Sequence, residues 1–351
     1  MSFMKSAASI AWKDKGLLLM TTHDRIDKNA GTLPETTVVV KVPASTANLG
    51  PGFDSLGMAL ELYTWIAMSI AEKTVVHLHG EQTEGLPDGK DNLLYEVAVK
   101  VFERAGLAAP ELEISNYSEI PLTRGLGSSA AAIVGALAAA NALLPEPLPV
   151  EELFRLACTL EHHPDNVGAS LFGGIVVAYW DGTEARHIGV QPLEHLESFV
   201  AIPDFELSTR KAREVLPQSL PLKDAVFNIG HSNLLVAAFC SGRYELIADA
   251  MQDALHQPYR ARLIPGMPEV LAGAASHGAL GAALSGAGPT LIALADAREE
   301  QGEELTDFLK NTMAEHGIDV SIRRLKPSRE GVRVLTLAGN HRTFMETVRK
   351  E

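Results

Sequence analysis

Cysteine is almost missing from this chain: 351 residues hold two, Cys158 and Cys240. Two isolated thiols cannot build the disulfide framework of a small secreted domain, and they read as buried thiols in a reducing compartment. Positive charge is short as well, with Lys+Arg 30 against Asp+Glu 44 and a formal net charge of −14. That sign repels phosphate backbones and anionic lipid, so neither nucleic acid nor a membrane is expected as a partner. Long apolar runs are also lacking. The longest early one, Gly16-Leu-Leu-Leu-Met20, is too short for a signal-peptide core, and no later stretch is apolar enough to span a bilayer. A soluble, cytoplasmic protein is expected. No internal repeat or low-complexity tract is visible.

What remains is a 46% hydrophobic chain, long enough to bury a full core and to fold as two domains. Residues 1 to about 36 are polar and mixed without a sustained period. They read as a flexible N-terminal extension, with Met20 an alternative beginning. The β-branched run Thr37-Val-Val-Val-Lys-Val42 opens a first domain over residues 37–193. Further strands are expected over Tyr63 to Ile70, Val75 to Gly80, Leu112 to Tyr117 and Gly174 to Tyr179. Asp91-Asn92 reads as the cap of a helix running to Arg104, and another helix runs from Glu151 to near Pro164. A link around Gln191 to Glu197 leads to a second domain over residues 194–351, which opens with the strand Ser198 to Pro203. Helices then alternate with strands: Asp224 to Cys240, Tyr244 to Leu255, Met267 to His277, Ala282 to Leu284, Thr290 to Ala295, Glu300 to His316 and Val320 to Leu325. That order is α+β, with helices on one face of a mostly antiparallel sheet.

The stretch with the most chemistry is Pro121-Leu122-Thr123-Arg124-Gly125-Leu126-Gly127-Ser128-Ser129-Ala130-Ala131. A strand-like run enters it and an Ala-rich helical run leaves it. Glycines let the backbone turn sharply and approach a ligand, and the serines sit where a helix presents unpaired N–H groups. Such a terminus suits phosphate. No Lys follows the last glycine, so this is not the common P-loop. Gly125-x-Gly127-x-x-Ala130 fits a loose dinucleotide fingerprint, but the acidic residue about 20 positions on is missing. A tight turn into a buried helix is the remaining reading. The paired serines and the Pro that fixes the entry favour phosphate.

This stretch resembles the second signature of the GHMP small-molecule kinases. Val42-Pro-Ala-Ser-Thr-Ala-Asn48-Leu-Gly50-Pro-Gly52-Phe-Asp54 resembles their first, and Leu280-Gly-Ala-Ala-Leu-Ser285-Gly286-Ala-Gly288-Pro289-Thr their third. All three occur in family order from about Val38 onward. Within the family, the chain is similar to the homoserine kinases. Glu161-His-His163-Pro-Asp-Asn166, Thr209-Arg-Lys-Ala-Arg213-Glu-Val-Leu-Pro and His256-Gln-Pro-Tyr-Arg260-Ala-Arg-Leu-Ile-Pro carry that likeness. His162 stands where those enzymes usually have Gly, which puts a side chain in the turn after Glu161.

The resemblance implies a two-domain GHMP kinase fold, ribosomal-protein-S5-like first and ferredoxin-like second, with the active site between. It implies ATP and L-homoserine as substrates, Mg²⁺ as cofactor, O-phospho-L-homoserine as product, and a homodimer. Residues 121–131 would then cradle the phosphates, with Ser128 and Glu161 on Mg²⁺, an ion that takes few protein oxygens alongside phosphate and water. Asp54 would meet the substrate ammonium with Asn48 nearby, and Arg213 and Arg260 would fork onto the carboxylate. His163 would fix the substrate or its loop, and Asn166 and Thr209 would lie near the reacting hydroxyl. Asn92 either contacts the adenosine or simply caps its helix. A zinc site at His162-His163 is not expected, since adjacent helical histidines point apart and the ligand spacing is missing. Two rivals stay open: a GHMP kinase with a mevalonate-like or sugar substrate, and a catalytically silent binding protein on the same fold.

Overall fold

The computed structural model describes residues 37–80, 85–336 and 344–350, and the extension expected over residues 1 to about 36 lies outside them. In the first sheet, β1 (Val38–Asn48) folds back on β2 (Gly52–Ile70) across the Gly50-Pro51 turn. The run Val38-Val39-Val40 explains β1, because β-branched side chains pack well on a pleated surface and all three are buried. Then follow β3 (Val75–His79), α1 (Leu93–Arg104), β4 (Leu112–Ser118), α2 (Ser128–Ala142), α3 (Val150–Glu161), α4 (Asp165–Phe172), β5 (Ile175–Trp180) and β6 (Ala185–Val190). Strand β4 pairs antiparallel with the end of β2, β3 lies parallel to β4, and β5 pairs with the start of β2 and carries β6. Helix α2 lies against β1 and β2, with ten of its fifteen residues buried, so the loop before it has a rigid mount.

The second sheet is antiparallel throughout. It is built from β7 (Leu196–Pro203), β8 (Gly281–Leu284), β9 (Leu291–Asp296) and β10 (Val320–Leu325), in the order β10-β7-β9-β8. Between β7 and β8 run α5 (Thr209–Glu214), α6 (Leu222–Ser241), α7 (Ile247–Ala250), α8 (Gln257–Arg260) and α9 (Met267–Gly273). Helix α10 (Gly302–Glu315) buries Leu305, Leu309 and Met313, four residues apart, as one apolar stripe. Strand β11 (Arg333–Thr336) then returns to pair with β1, ahead of α11 (Phe344–Val348). No helix among the described residues is long and apolar enough to cross a membrane.

Some elements differ from the sequence reading. Strand β2 starts at Gly52 rather than near Tyr63, because Gly52 to Leu62 has glycines and few β-branched residues to announce a strand. Strand β6 is largely exposed, so it shows no buried alternation. Helix α4 follows directly on Pro164, where Pro-Asp-Asn reads as a turn. The helix expected over Tyr244 to Leu255 ends at Ala250. There Met251 packs beneath Gly50, and Asp253 turns the chain by accepting from the N–H groups of Leu255, His256 and Gln257.

Candidate active site

Between the sheets lies an open cleft, walled by all three signatures and by α5 and α8. Its floor is the loop into α2. Gly127 is the N-cap of that helix at φ 68°, and no side chain caps it. A Cβ there would lie 2.1 Å from Ser45 Oγ, so only glycine fits both the turn and the neighbour. The third signature holds the loop from outside: Ser285 Oγ donates to Gly125 O (2.6 Å), and Thr290 N to Arg124 O (3.3 Å). Open N–H groups at the positive end of a helix, held this rigidly, form an anion cradle.

The residues expected on the phosphates divide into two groups. Thr123, Gly125, Gly127, Ser128 and Ser129 line the cleft. Leu126, Ala130 and Ala131 are buried in the core, and Arg124 bonds the carbonyls of Pro203 and Asp204, so these support the loop from behind. Pro121 and Leu122 are not on the cleft wall. Nor is Asn92, whose Oδ1 accepts from Leu94 N (2.9 Å) and whose Nδ2 donates to Pro87 O (2.6 Å); it caps α1.

Glu161, at the end of α3, reaches the start of α2, and the hydroxyl it meets is that of Ser129, with Oγ donating to Oε2 at 3.0 Å. Ser128, expected beside Glu161 as the second Mg²⁺ ligand, makes no such bond to it. One residue along a helix turns the side chain by about 100°, and only the second serine faces α3. Next to Glu161, His162 takes the left-handed conformation, φ 67°, and is exposed. A non-glycine residue is strained there, so His162→Gly is expected to stabilise the fold by roughly 0.5–1 kcal/mol. The check is the urea midpoint; a midpoint that falls would mean the imidazole makes a contact that outweighs the strain. The turn then delivers His163 into the cleft, with Nδ1 2.8 Å from Asp165 Oδ1 and Nε2 4.0 Å from Glu161 Oε1. Burial opposes its charge, but Asp165 and Glu161 outweigh that and hold its pKa above the usual histidine value. Asp165 Oδ1 also accepts from Asn166 N (2.7 Å).

Opposite, Arg213 on α5 forks onto Asp54, with Nη1 to Oδ2 at 3.0 Å and Nη2 to Oδ1 at 2.7 Å. Burial works against this guanidinium, and Asp54 more than compensates, keeping its pKa above the ordinary arginine value. Arg260 is 2% exposed. It bonds Ala212 O through Nε (3.1 Å), and Gly286 O (2.9 Å) and His256 Nδ1 (3.2 Å) through Nη1. Burial, with Arg213 beside it, pulls Arg260 down to about 10, so it stays charged at neutral pH. Asn48 Nδ2 donates to Gly286 O (2.9 Å) and its Oδ1 accepts from Asp54 N (3.1 Å), locking the first signature to the third. Thr209 opens α5, and it lines the same cleft as Asn166 and Leu207.

Three contributors were not singled out from sequence. Ser45 donates to Asn166 Oδ1 (2.9 Å), and Phe53 lies between two cations, its ring centroid 5.5 Å from Arg213 Cζ and 5.4 Å from Arg260 Cζ. Both sit inside the first signature, which was the available signal. The third is His256. Among the described residues there is no cluster of three His, Cys, Asp or Glu that could hold a metal ion.

Comparison with known proteins agrees with this geometry. Residues 92–174 match the family of GHMP kinases N terminal domains, and residues 235–315 match GHMP kinases C terminal. The homoserine kinase of Carboxydothermus hydrogenoformans is 43% identical over 295 residues, 84% of this chain and 95% of that protein. The homoserine kinase of Moorella thermoacetica is 43% identical over 299 residues, 85% of this chain and 99% of that protein. The crystal structure of homoserine kinase from Cytophaga hutchinsonii aligns with a TM-score of 0.77 at 29% identity, covering 86% of this chain and 98% of that one. With the α+β two-domain fold and all three signatures lining one cleft, the chain belongs to the GHMP kinases and, within them, to the homoserine kinases.

Proposed function

We infer that this chain moves the γ-phosphoryl group of ATP to the side-chain hydroxyl of L-homoserine, giving O-phospho-L-homoserine for threonine biosynthesis. One observation carries the reading beyond kinship. A single cleft has an anion cradle at one wall and, at the other, one carboxylate with two guanidinium groups, the charges a zwitterion needs. Release of ADP, coupled to a colour change, is the direct test with homoserine, mevalonate, galactose and shikimate as acceptors. Mass spectrometry should find phosphate on the homoserine side-chain oxygen. Brisk turnover of mevalonate or a sugar with none of homoserine would sink the reading.

Phosphoryl transfer asks the protein mainly to position groups and neutralise charge. The oxygens of Ser129 and Glu161, 3.0 Å apart beside the cradle, suit a hard cation that keeps water and phosphate as its other ligands, so they would hold Mg²⁺. Bound there, Mg²⁺ supplies charge neutralisation to the phosphates.

The remaining question is the hydroxyl. Asn166 Oδ1 is taken by Ser45, and among the described residues no acceptor takes its Nδ2 protons, so the amide is available to orient the acceptor oxygen. Asp165 is the tempting base, but it is 2% exposed and its Oδ1 already serves His163 and Asn166 N. A loose transition state needs little activation of the nucleophile, and the proton can leave late, to phosphate or water. Asn166→Ala should therefore lower kcat by roughly 1–3 kcal/mol, the cost of an unmade hydrogen bond. Plots of kcat against pH for wild type and Asp165→Asn discriminate. An acidic limb that vanishes in a folded, nearly dead Asp165→Asn would establish Asp165 as the base.

We further propose a homodimer built on α6. That helix exposes Leu222, Val226 and Ile229, and no Asp, Glu, Lys or Arg occurs from Ala225 to Gly242. Two copies of a chain with net charge −14 meet best on such a neutral apolar face. Light scattering should give twice the chain mass for wild type and the chain mass for Ile229→Glu. A monomeric wild type would dismiss the idea.

A further inference from the structure

His256 lies outside the reaction just described, yet it is wholly buried and touches Arg260. Its two ring nitrogens have different partners, and those partners decide its state. Nε2 is 2.8 Å from Gly50 O. A carbonyl can only accept, so Nε2 carries the proton. Nδ1 is then a lone pair, and it accepts from Arg260 Nη1 at 3.2 Å. Burial, reinforced by the charge of Arg260, keeps the imidazole below its usual range despite Asp253. Asp253 itself lies 3.5 Å from Nε2, and both of its oxygens accept from backbone N–H groups of residues 255–257.

The anchor for this tautomer is placed with little tolerance. Gly50 has φ +86°, and a Cβ there would lie 2.1 Å from Met251 O. The first signature is therefore seated against the segment that bears His256, which holds the Gly50 carbonyl in place. Phe53 also packs against His256, its ring centroid 5.2 Å from that of the imidazole.

The consequence falls on Arg260. Among the described residues, every hydrogen-bond partner of its guanidinium is neutral: two carbonyls and one imidazole lone pair. Among the described residues no carboxylate lies within 4.0 Å of it, because Asp54 is taken by Arg213. Asp54, Asp253 and Asp165 act on the charge of Arg260 from farther off, but neutral acceptors satisfy the N–H groups without an ion pair, so the guanidinium has no carboxylate in contact and stays open to an anion that enters the cleft. A carboxylate at the same place would have fixed the geometry equally well and neutralised the site.

We propose that His256 is a positioning residue for acceptor recognition: as a neutral imidazole protonated on Nε2, it aims Arg260 at the acceptor's carboxylate while leaving it without an ion-pair partner of its own. This rests on the homoserine reading above. The test compares affinities for homoserine and for the amino diol in which a hydroxymethyl group replaces the carboxylate. The diol is read as a competitive inhibition constant, whether or not it is turned over. Asn at 256 puts an acceptor oxygen near the place of Nδ1, whereas Gln puts its polar end near Nε2, so the two variants are polar and similar in size but differ in the bond they keep.

The expected result is that His256→Gln weakens homoserine roughly tenfold or more, as befits a lost bond to a charged group. Diol affinity and the KM for ATP should stay within about twofold of wild type, the experimental scatter of a neutral change, and His256→Asn should recover most of the homoserine affinity. Equal loss for homoserine and diol, or His256→Asn no better than His256→Gln, would overturn the proposal and make His256 a packing residue. Wild type that ignores homoserine altogether would instead be a failure of the substrate reading.

Discussion

Asp54→Asn is expected to raise the KM for homoserine by roughly 30- to 150-fold, equivalent to about 2–3 kcal/mol, while the KM for ATP barely moves. Asp54 and Arg213 are bound to each other, both oxygens against both terminal nitrogens, at 2.7 and 3.0 Å. The pair has the same two charges as an amino acid's ammonium and carboxylate. An entering zwitterion can exchange with it, its ammonium taking Asp54 and its carboxylate taking Arg213 together with Arg260. Without the Asp54 charge, the ammonium loses its paired carboxylate and faces two guanidinium groups. Arg213 is 39% exposed at its side chain, so water screens part of the loss, and the lower half of the range for charge-pair truncation applies. Arg213→Met should cost a similar amount. The double variant should cost less than the sum, because the residues share one bonded pair and one ligand. Additive losses, or an unchanged KM in both single variants, would place the amino acid elsewhere.

Much of this site was legible from sequence because the signatures are local. Gly125, Gly127 and Ser129 declare their turn and helix start by spacing alone, and the structure places them there. Strands with β-branched runs, such as β1, and helices with a regular apolar stripe, such as α1, were legible for the same reason. What sequence could not supply was rotation and partnership. Whether Ser128 or Ser129 faces Glu161 depends on the phase of α2 relative to α3, a tertiary quantity. Asn92 has the same local sequence whether it caps or binds, and only the positions of Pro87 and Leu94 show both ends of its amide in use. Arg260 looks like any surface arginine until burial and its three neutral partners are known. Strand β11 pairs with β1 across nearly the whole chain, a contact that no local pattern encodes.

Ser129→Ala is expected to lower kcat by about a hundredfold or more, whereas Ser128→Ala should remain close to wild type. Both serines occupy the first turn of α2 and both line the cleft, so their backbone N–H groups face the same cradle in either variant. Only the Ser129 hydroxyl is bonded to Glu161, at 3.0 Å. If that pair of oxygens holds Mg²⁺, removing one must loosen the cation and misplace the phosphates that it aligns. Glu161→Gln keeps the shape and removes the charge. It should shift the Mg²⁺ dependence of activity to higher concentration and leave metal-free nucleotide binding nearly intact. A titration of activity against Mg²⁺ for wild type and the three variants separates the possibilities. Ser129→Ala and Glu161→Gln should move together along the Mg²⁺ axis, with Ser128→Ala superimposing on wild type. If Ser128→Ala shifts and Ser129→Ala does not, the Ser129–Glu161 bond only ties α2 to α3. If none of the three shifts, Glu161 is a helix-end charge and the cation is held by phosphate and water alone.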